Sequence, residues 1–308
     1  VAGAQPLSLR HLAAGAACIA ANFGCRPTFA LSALLCFPIF WPQITSLLQG
    51  LKSRSLPPRR ALRAPAAVII PALIVVLPLM AYNVARFGSP LDFGNDYQMT
   101  VTDMTRFVQP TANFLPSVGA YLFLPLRFTS EFPFIGMTPM AFREWGYYEL
   151  MAGGLFATCP LLLLALAAPF LRRRMHRSGY WGLATCSLAL AVLLAVFDSH
   201  TAGLGWRYIC DFGWMMAIAA LAPMLYLMHP GGDAIAAGAP DPSERNEPRR
   251  DVTKRHPMVL ACVRGLVVAV LMASIILAVL ACFIPGRDDS LINNNPVLYD
   301  TVVAWFRL

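Results

Sequence analysis

The sequence predicts an all-α fold: a polytopic integral membrane helical bundle with an extracytoplasmic loop of short interfacial helices. Three observations predict it. Hydrophobic residues make up 57% of the 308 positions and charged residues only 13%, and the mean hydropathy is +0.59. Soluble domains carry about 45–50% apolar and about 25% charged residues, so a chain this apolar needs lipid to cover its surface. Apolar runs near the ~20 residues that a spanning helix requires also recur along the whole chain. Finally, the basic residues fall between those runs. The net charge of +8 therefore reads as a topology signal, and no nucleic-acid partner is expected.

Candidate spans cover residues 9–24, 28–48, 64–84, 150–171, 179–197, 208–229 and 258–283. Arg26-Pro27 separates the first two, which either span twice or form a re-entrant hairpin buried by protein. The third carries Pro65, Pro71 and Pro78, which kink a membrane helix without abolishing it. Segment 49–63 holds Lys52, Arg54, Arg59, Arg60 and Arg63 with no acid, and segment 172–177 holds Arg172, Arg173, Arg174 and Arg177. Both are expected on the cytoplasmic side. The 230–257 segment mixes Gly, Pro, Ser and charges and reads as a flexible cytoplasmic linker. By parity the N-terminus is cytoplasmic, while residues 83–149, 198–207 and the tail from 285 lie outside. The chain thus divides into membrane helices over 1–84, an outer loop over 85–149, further membrane helices over 150–284, and an outer tail over 285–308.

The outer loop is far from purely polar. Phe114, Leu115, Val118, Tyr121, Leu122 and Leu126 have the spacing of a helix with one apolar face, bounded or bent by Pro116 and Pro125. Phe128, Phe132, Phe134, Phe142, Trp145, Tyr147 and Tyr148 follow, and such aromatics favour a membrane–water interface. A soluble cap that touches no lipid is the alternative. The eight cysteines include no CxxC pair and lie mostly in apolar runs, so they are expected to be small buried hydrophobes and not metal ligands. The chain starts at Val1 and lacks the charged n-region and cleavage site of a signal peptide. It is expected to be the C-terminal part of a longer protein.

Two clusters are candidates for a binding site, and each has a structural reading beside the functional one. Asn83, Arg86, Phe87, Gly88, Ser89, Pro90, Asp92 and Gly94 follow the third span. They either shape an outer site with Arg86 facing an anion, or end a helix at Gly88 with Arg86 near its last carbonyls and Pro90 beyond. Asp198, His200, Trp206, Arg207, Tyr208 and Asp211 straddle a short outer loop. Arg207 and Asp211, four apart, share a helix face; they either hold a lipid phosphate or form a local ion pair with aromatic anchors. A third set, Glu131, Arg143, Glu144 and Glu149, reads as solvated loop charge. No phosphate-binding loop, dinucleotide fingerprint or HExxH is present. No cofactor is expected, and a divalent cation is not indicated.

RFGSPLDFG at Arg86–Gly94, placed directly after a membrane helix, resembles a recurring segment of bacterial polytopic glycosyltransferases of the GT-C superfamily, among them protein mannosyltransferase-like enzymes. CRPTFALSALLCFPIF at Cys25–Phe40 looks like their helix–Arg-Pro–helix element. GGLFATCPLLLLALAAPFLRRR at Gly153–Arg174 is similar to their loop-to-helix return, and GWRYICDF at Gly205–Phe212 to their late Arg-Tyr motif. The resemblance implies a transferase of the bacterial inner membrane, using a polyprenyl-phosphate sugar donor and an extracytoplasmic acceptor. It also implies a catalytic acid, usually an Asp, in a first outer loop that no residue here matches, so the catalytic residue is unknown. Arg207, Tyr208, Asp211, His200, Arg86, Gly88 and Pro90 are the candidate substrate-binding residues. The competing readings are a transporter or flippase of a lipid-linked or anionic substrate, and a non-catalytic membrane subunit that docks a partner through residues 83–149.

Overall fold

The computed structural model describes residues 8–98, 103, 105–172, 180–228, 257–286 and 290–306. Residues 230–256 of the expected linker 230–257, with Arg173, Arg174 and Arg177, lie outside the described residues. The described chain is overwhelmingly helical, and its one sheet is a two-stranded hairpin. Five helical stretches are long and apolar enough to cross a membrane: Pro27–Lys52, Arg63–Phe87, Tyr180–Thr201, Trp206–Met228 and Met258–Ala281. The chain divides into two compact units, Val1–Val108 and Gln109–Leu308. Each has its own logic.

In the first unit, α1 (Leu9–Cys25) ends at Arg26. Pro27 then opens a 3₁₀ turn, Pro27–Leu35, that runs into α2 (Cys36–Lys52). The break stands at Arg26-Pro27 because proline disfavours helical backbone in the residue before it. After the short α3 (Pro58–Ala61) comes α4 (Arg63–Phe87), unbroken through Pro71 and Pro78. Helix α1 packs along α4. Gly24 makes the approach close, since a Cβ there would come within 2.9 Å of Leu79 Cδ1. Asn83 is the one buried residue of α4. Among the described residues, the rest of α4 is half-buried or exposed.

The second unit opens with α5 (Phe114–Phe123), which has Pro116 in its first turn, where proline costs no hydrogen bond, and ends just before Pro125. Strands β1 (Arg127–Phe128) and β2 (Ile135–Gly136) pair antiparallel. The sequence expects a span over 150–171, and the structure differs. Met151 bridges to Thr138 in extended chain. Helix α6 (Leu155–Thr158) is a single turn, and a 3₁₀ helix occupies Pro160–Leu171. The reason is steric: a Cβ at Gly154 would meet Leu124 N at 2.6 Å and Ala120 O at 2.7 Å. The chain can press against α5 there only as glycine. Pro160, which lacks an N–H, then restarts the helix.

Helices α7 (Tyr180–Thr201) and α8 (Ile209–Met228) form the hairpin at the centre of this unit, with the 3₁₀ helix packed against both. Ala165, Ala168, Ala184, Ala191, Ala195, Ala219 and Ala220 are buried at these contacts. Small side chains let helix backbones approach closely, and packing of this kind holds helices together where water is absent. Met215, Met216, Leu194 and Phe212 fill the remaining space. Helix α9 (Pro257–Ala281), α10 (Leu291–Asn294) and α11 (Pro296–Trp305) complete the unit. The cysteines are not the buried hydrophobes that the sequence leads one to expect. All eight cysteines are free thiols, and none is fully buried. Most lie in apolar helices on sides that the protein does not cover.

Candidate functional site

The site grows from one end of the second unit, where α7 turns into α8. Gly203 has φ +90°, a conformation that side chains rarely tolerate. A Cβ there would also come within 2.9 Å of Gln109 Nε2. This glycine lets segment 203–205 run alongside 147–149. Leu204 N donates to Tyr147 O at 3.2 Å, and Glu149 N donates to Leu204 O at 2.8 Å. Gln109 clamps the same residue of the strand, beside Gly203. Its Oε1 accepts from Tyr147 N at 3.1 Å, and its Nε2 donates to Tyr147 O at 3.5 Å.

Extended chain sends alternate side chains to opposite faces. Tyr148 packs against Phe142, with ring centroids 5.1 Å apart. Tyr147 and Glu149 together face the start of α8. The Glu149 carboxylate accepts from Trp206 N at 2.9 Å through Oε2, and from the Tyr147 hydroxyl through Oε1. Trp206 opens the helical turn Trp206–Tyr208 that leads into α8. A carboxylate there satisfies an orphan backbone donor and meets the positive end of the helix dipole.

Arg207 completes the cluster. Its Nη2 donates to the Tyr147 hydroxyl at 3.3 Å. Its guanidinium carbon lies 5.3 Å from the Tyr208 ring centroid and 6.0 Å from that of Tyr147. The guanidinium itself is exposed. Beneath it, the fully buried Tyr121 ties the turn down. Its hydroxyl donates to Gly203 O at 2.9 Å and accepts from Gly205 N at 2.8 Å, while Phe212 meets its ring edge-on at 5.5 Å. Burial pushes both phenols well above the usual tyrosine range, against the opposing pull of the Gly205 N–H at Tyr121 and of Arg207 at Tyr147. The Glu149 carboxylate raises both further. Both hydroxyls keep their protons at any working pH and act as donors.

The predicted residues separate into two groups. Arg207 and Tyr208 stand in the cluster itself. Asp211 and Asp198 are buried at the same end of α7 and α8, 2% and 3% exposed, and exposed His200 packs against the Phe114 ring at 5.9 Å. Arg86, Gly88 and Pro90 belong to the other unit, where they end a helix. Gly88 sits at φ +80° as the left-handed cap of α4, its N–H donating to Val84 O. Asn83 Nδ2 holds Pro90 O at 3.2 Å, and Asp92 Oδ1 accepts from Gly94 N at 2.8 Å. Arg86 Nη1 donates to Tyr82 one turn back, at 3.0 Å.

Sequence reasoning reads Glu149 as solvated charge; in the structure both of its carboxylate oxygens are engaged. Glu131, Arg143 and Glu144 are exposed. From the sequence Tyr121 reads only as part of an apolar helix face and Tyr147 only as an interfacial aromatic, and Gln109 is not singled out. One signal for them was in the chain, namely the alternation of Tyr147 and Glu149 ahead of a Gly-x-Gly turn. Among the described residues, no group of three or more His, Cys, Asp and Glu is arranged to hold a metal ion. Comparison of the chain with protein-family models, curated proteins and solved structures found no match.

Proposed function

We propose that this is an integral membrane protein of the bacterial inner membrane. It supplies the donor-phosphate-binding membrane portion of a GT-C-like glycosyltransferase, which takes a sugar from a polyprenyl-phosphate donor to an extracytoplasmic acceptor. Five membrane-length helices support the membrane reading. The observation that carries the site is the exposed Arg207 guanidinium. It is held against Tyr147 and Tyr208, while the acids around it are buried or already accepting hydrogen bonds. A guanidinium offers a planar fork of donors suited to a phosphate.

In the proposed reaction an acceptor hydroxyl attacks the anomeric carbon, the bond from that carbon to the phosphate oxygen breaks, polyprenyl phosphate leaves with the bonding electron pair, and the hydroxyl proton is released to solvent. Arg207 stabilises the charge developing on the departing phosphate, where fixed cationic donors act best. Tyr147 and Glu149 position that guanidinium. Both oxygens of Glu149 already accept a hydrogen bond, and no catalytic base is assigned.

The test uses the full-length protein in proteoliposomes with a radiolabelled polyprenyl-phosphate sugar and a cell-envelope acceptor extract. Label should leave the lipid phase for the acceptor, and Arg207→Ala should slow that transfer about tenfold or more, as expected for a lost charge-assisted hydrogen bond. Normal transfer by the variant would falsify the assignment of Arg207. Substrate counterflow without transfer would establish a transporter instead.

A further inference from the structure

The last described helix, α11, carries an apolar face that the protein does not cover. Helix α11 is specified locally: Pro296 takes its first position, and Asn295 Oδ1 caps it by accepting from Leu298 N at 3.2 Å. Tyr299, Val302 and Val303 are half-buried on one side. Val297, Leu298, Thr301, Ala304 and Trp305 recur at helical spacing on the other, and all are exposed. Val297 is 76% exposed and Trp305 72%.

The height of this helix in the unit is fixed by its contacts. Trp206, at the start of one membrane-length stretch, and Ile284, just past the end of α9, pack into the same small core with Ile135 and Ala152. The two helix ends therefore lie level. Helix α11 is tied to that level through α10, which leads into it, and at its own C-terminal end. On its N-terminal side, Leu291 N donates to Cys282 O at 3.0 Å. On its C-terminal side, Phe306 stacks on Phe132 at 4.5 Å, and Phe132 meets Phe283 at 5.2 Å. Tyr299, midway, lies 6.4 Å from Phe283. A ten-residue helix about 15 Å long, pinned this way to residues 282 and 283, lies across the helix end and does not extend away from it.

We propose that α11 lies flat in the membrane–water interface, with its Val297–Trp305 face against the lipid. The proposal rests on the membrane reading above. The level at which α11 is pinned is where the hydrocarbon of a bilayer gives way to headgroups, and tryptophan favours that zone. A ten-residue helix face falls well short of the roughly 800 Å² per partner that stable protein interfaces bury, so a second copy of the chain is the poorer occupant. Asp300, exposed between the two faces, is placed to reach the headgroups.

The experiment places the photoreactive residue p-benzoylphenylalanine at Trp305, at Val297 or at Ile276 in the full chain, in phosphatidylethanolamine–phosphatidylglycerol vesicles. Ile276 is an exposed residue of α9 and reports on the membrane reading alone. Irradiation should give a mass increase of one phospholipid at all three positions. A phospholipid adduct at Ile276, with none at Trp305 and Val297, overturns the placement of α11 and leaves the membrane reading standing. A covalent dimer through Trp305 overturns it in favour of a second copy. Loss of the lipid adduct at Ile276 as well removes the membrane reading, and the interfacial placement falls with it.

Discussion

Arg86 and Arg207 look alike in the sequence: each stands at a helix end among aromatic residues. In the structure they do opposite things. Arg86 is in the last turn of α4, where the helix dipole already favours a cation. It is held by its own helix, through Tyr82 one turn back and the Phe87 ring 5.1 Å away. It needs nothing further. Arg207 is at the start of a helix, where the dipole disfavours a cation. It is held there by its neighbour Tyr208, whose ring centroid lies 5.3 Å away, and by Tyr147, sixty positions back in sequence, which is itself held by Glu149, Gln109 and Leu204. A cation kept at the unfavourable end of a helix by a long-range network is not explained by that helix. A cation at the favourable end is explained by the helix itself.

The largest expected break in this comparison is Glu149→Ala. It leaves the Trp206 N–H and the Tyr147 hydroxyl without their acceptor and releases Arg207, lowering unfolding stability by about 2–3 kcal/mol. Denaturant titration in mild detergent measures it, and a loss under about 0.5 kcal/mol would show that Glu149 is mere surface charge. Gly88→Ala is the counterpart in the other unit. The space around Gly88 is open, so only the left-handed backbone is penalised, at about 1 kcal/mol. Stability should drop by that amount and phosphate-lipid binding should stay the same; a drop in binding would bring the Gly88 turn back into the site.

A smaller effect concerns pH. The native pKa of Tyr121 is raised, so the folded state keeps a proton that the unfolded chain releases above about pH 10. The stabilisation is complete below that pH and is lost as the pH rises from there toward the native value. Tyr121→Phe should therefore flatten the alkaline decline in unfolding free energy. An unchanged slope in the variant would mean that the phenol is not the group responsible.

Local rules made much of the helical framework legible in the sequence. The apolar runs around α4, α7, α8 and α9, the Arg26-Pro27 break and the helix bounded by Pro116 and Pro125 all follow from residue type and spacing. Gly88 as a helix cap was one of two open readings of that loop. The stretch from 150 to 171 misled because hydropathy does not register that Gly154 has to touch the backbone of α5. Helix α11 was hidden in a segment read as tail, although Asn295-Pro296 is a helix-start signal. The site was half legible. Arg207 and Tyr208 stand out beside a short loop, but Glu149, Tyr147 and Gln109 reach them only through the pairing of 147–149 with 203–205. No periodicity encodes that pairing.

The most direct test of the contrast between the two arginines is equilibrium binding of a fluorescent polyprenyl phosphate to the protein in nanodiscs, compared among the wild type, Arg207→Ala and Arg86→Ala. The expected result is a Kd raised about tenfold or more by Arg207→Ala and within about twofold of wild type for Arg86→Ala. Equal losses in both variants, or none in Arg207→Ala, would contradict the assignment of the phosphate site to the α8 end of the second unit.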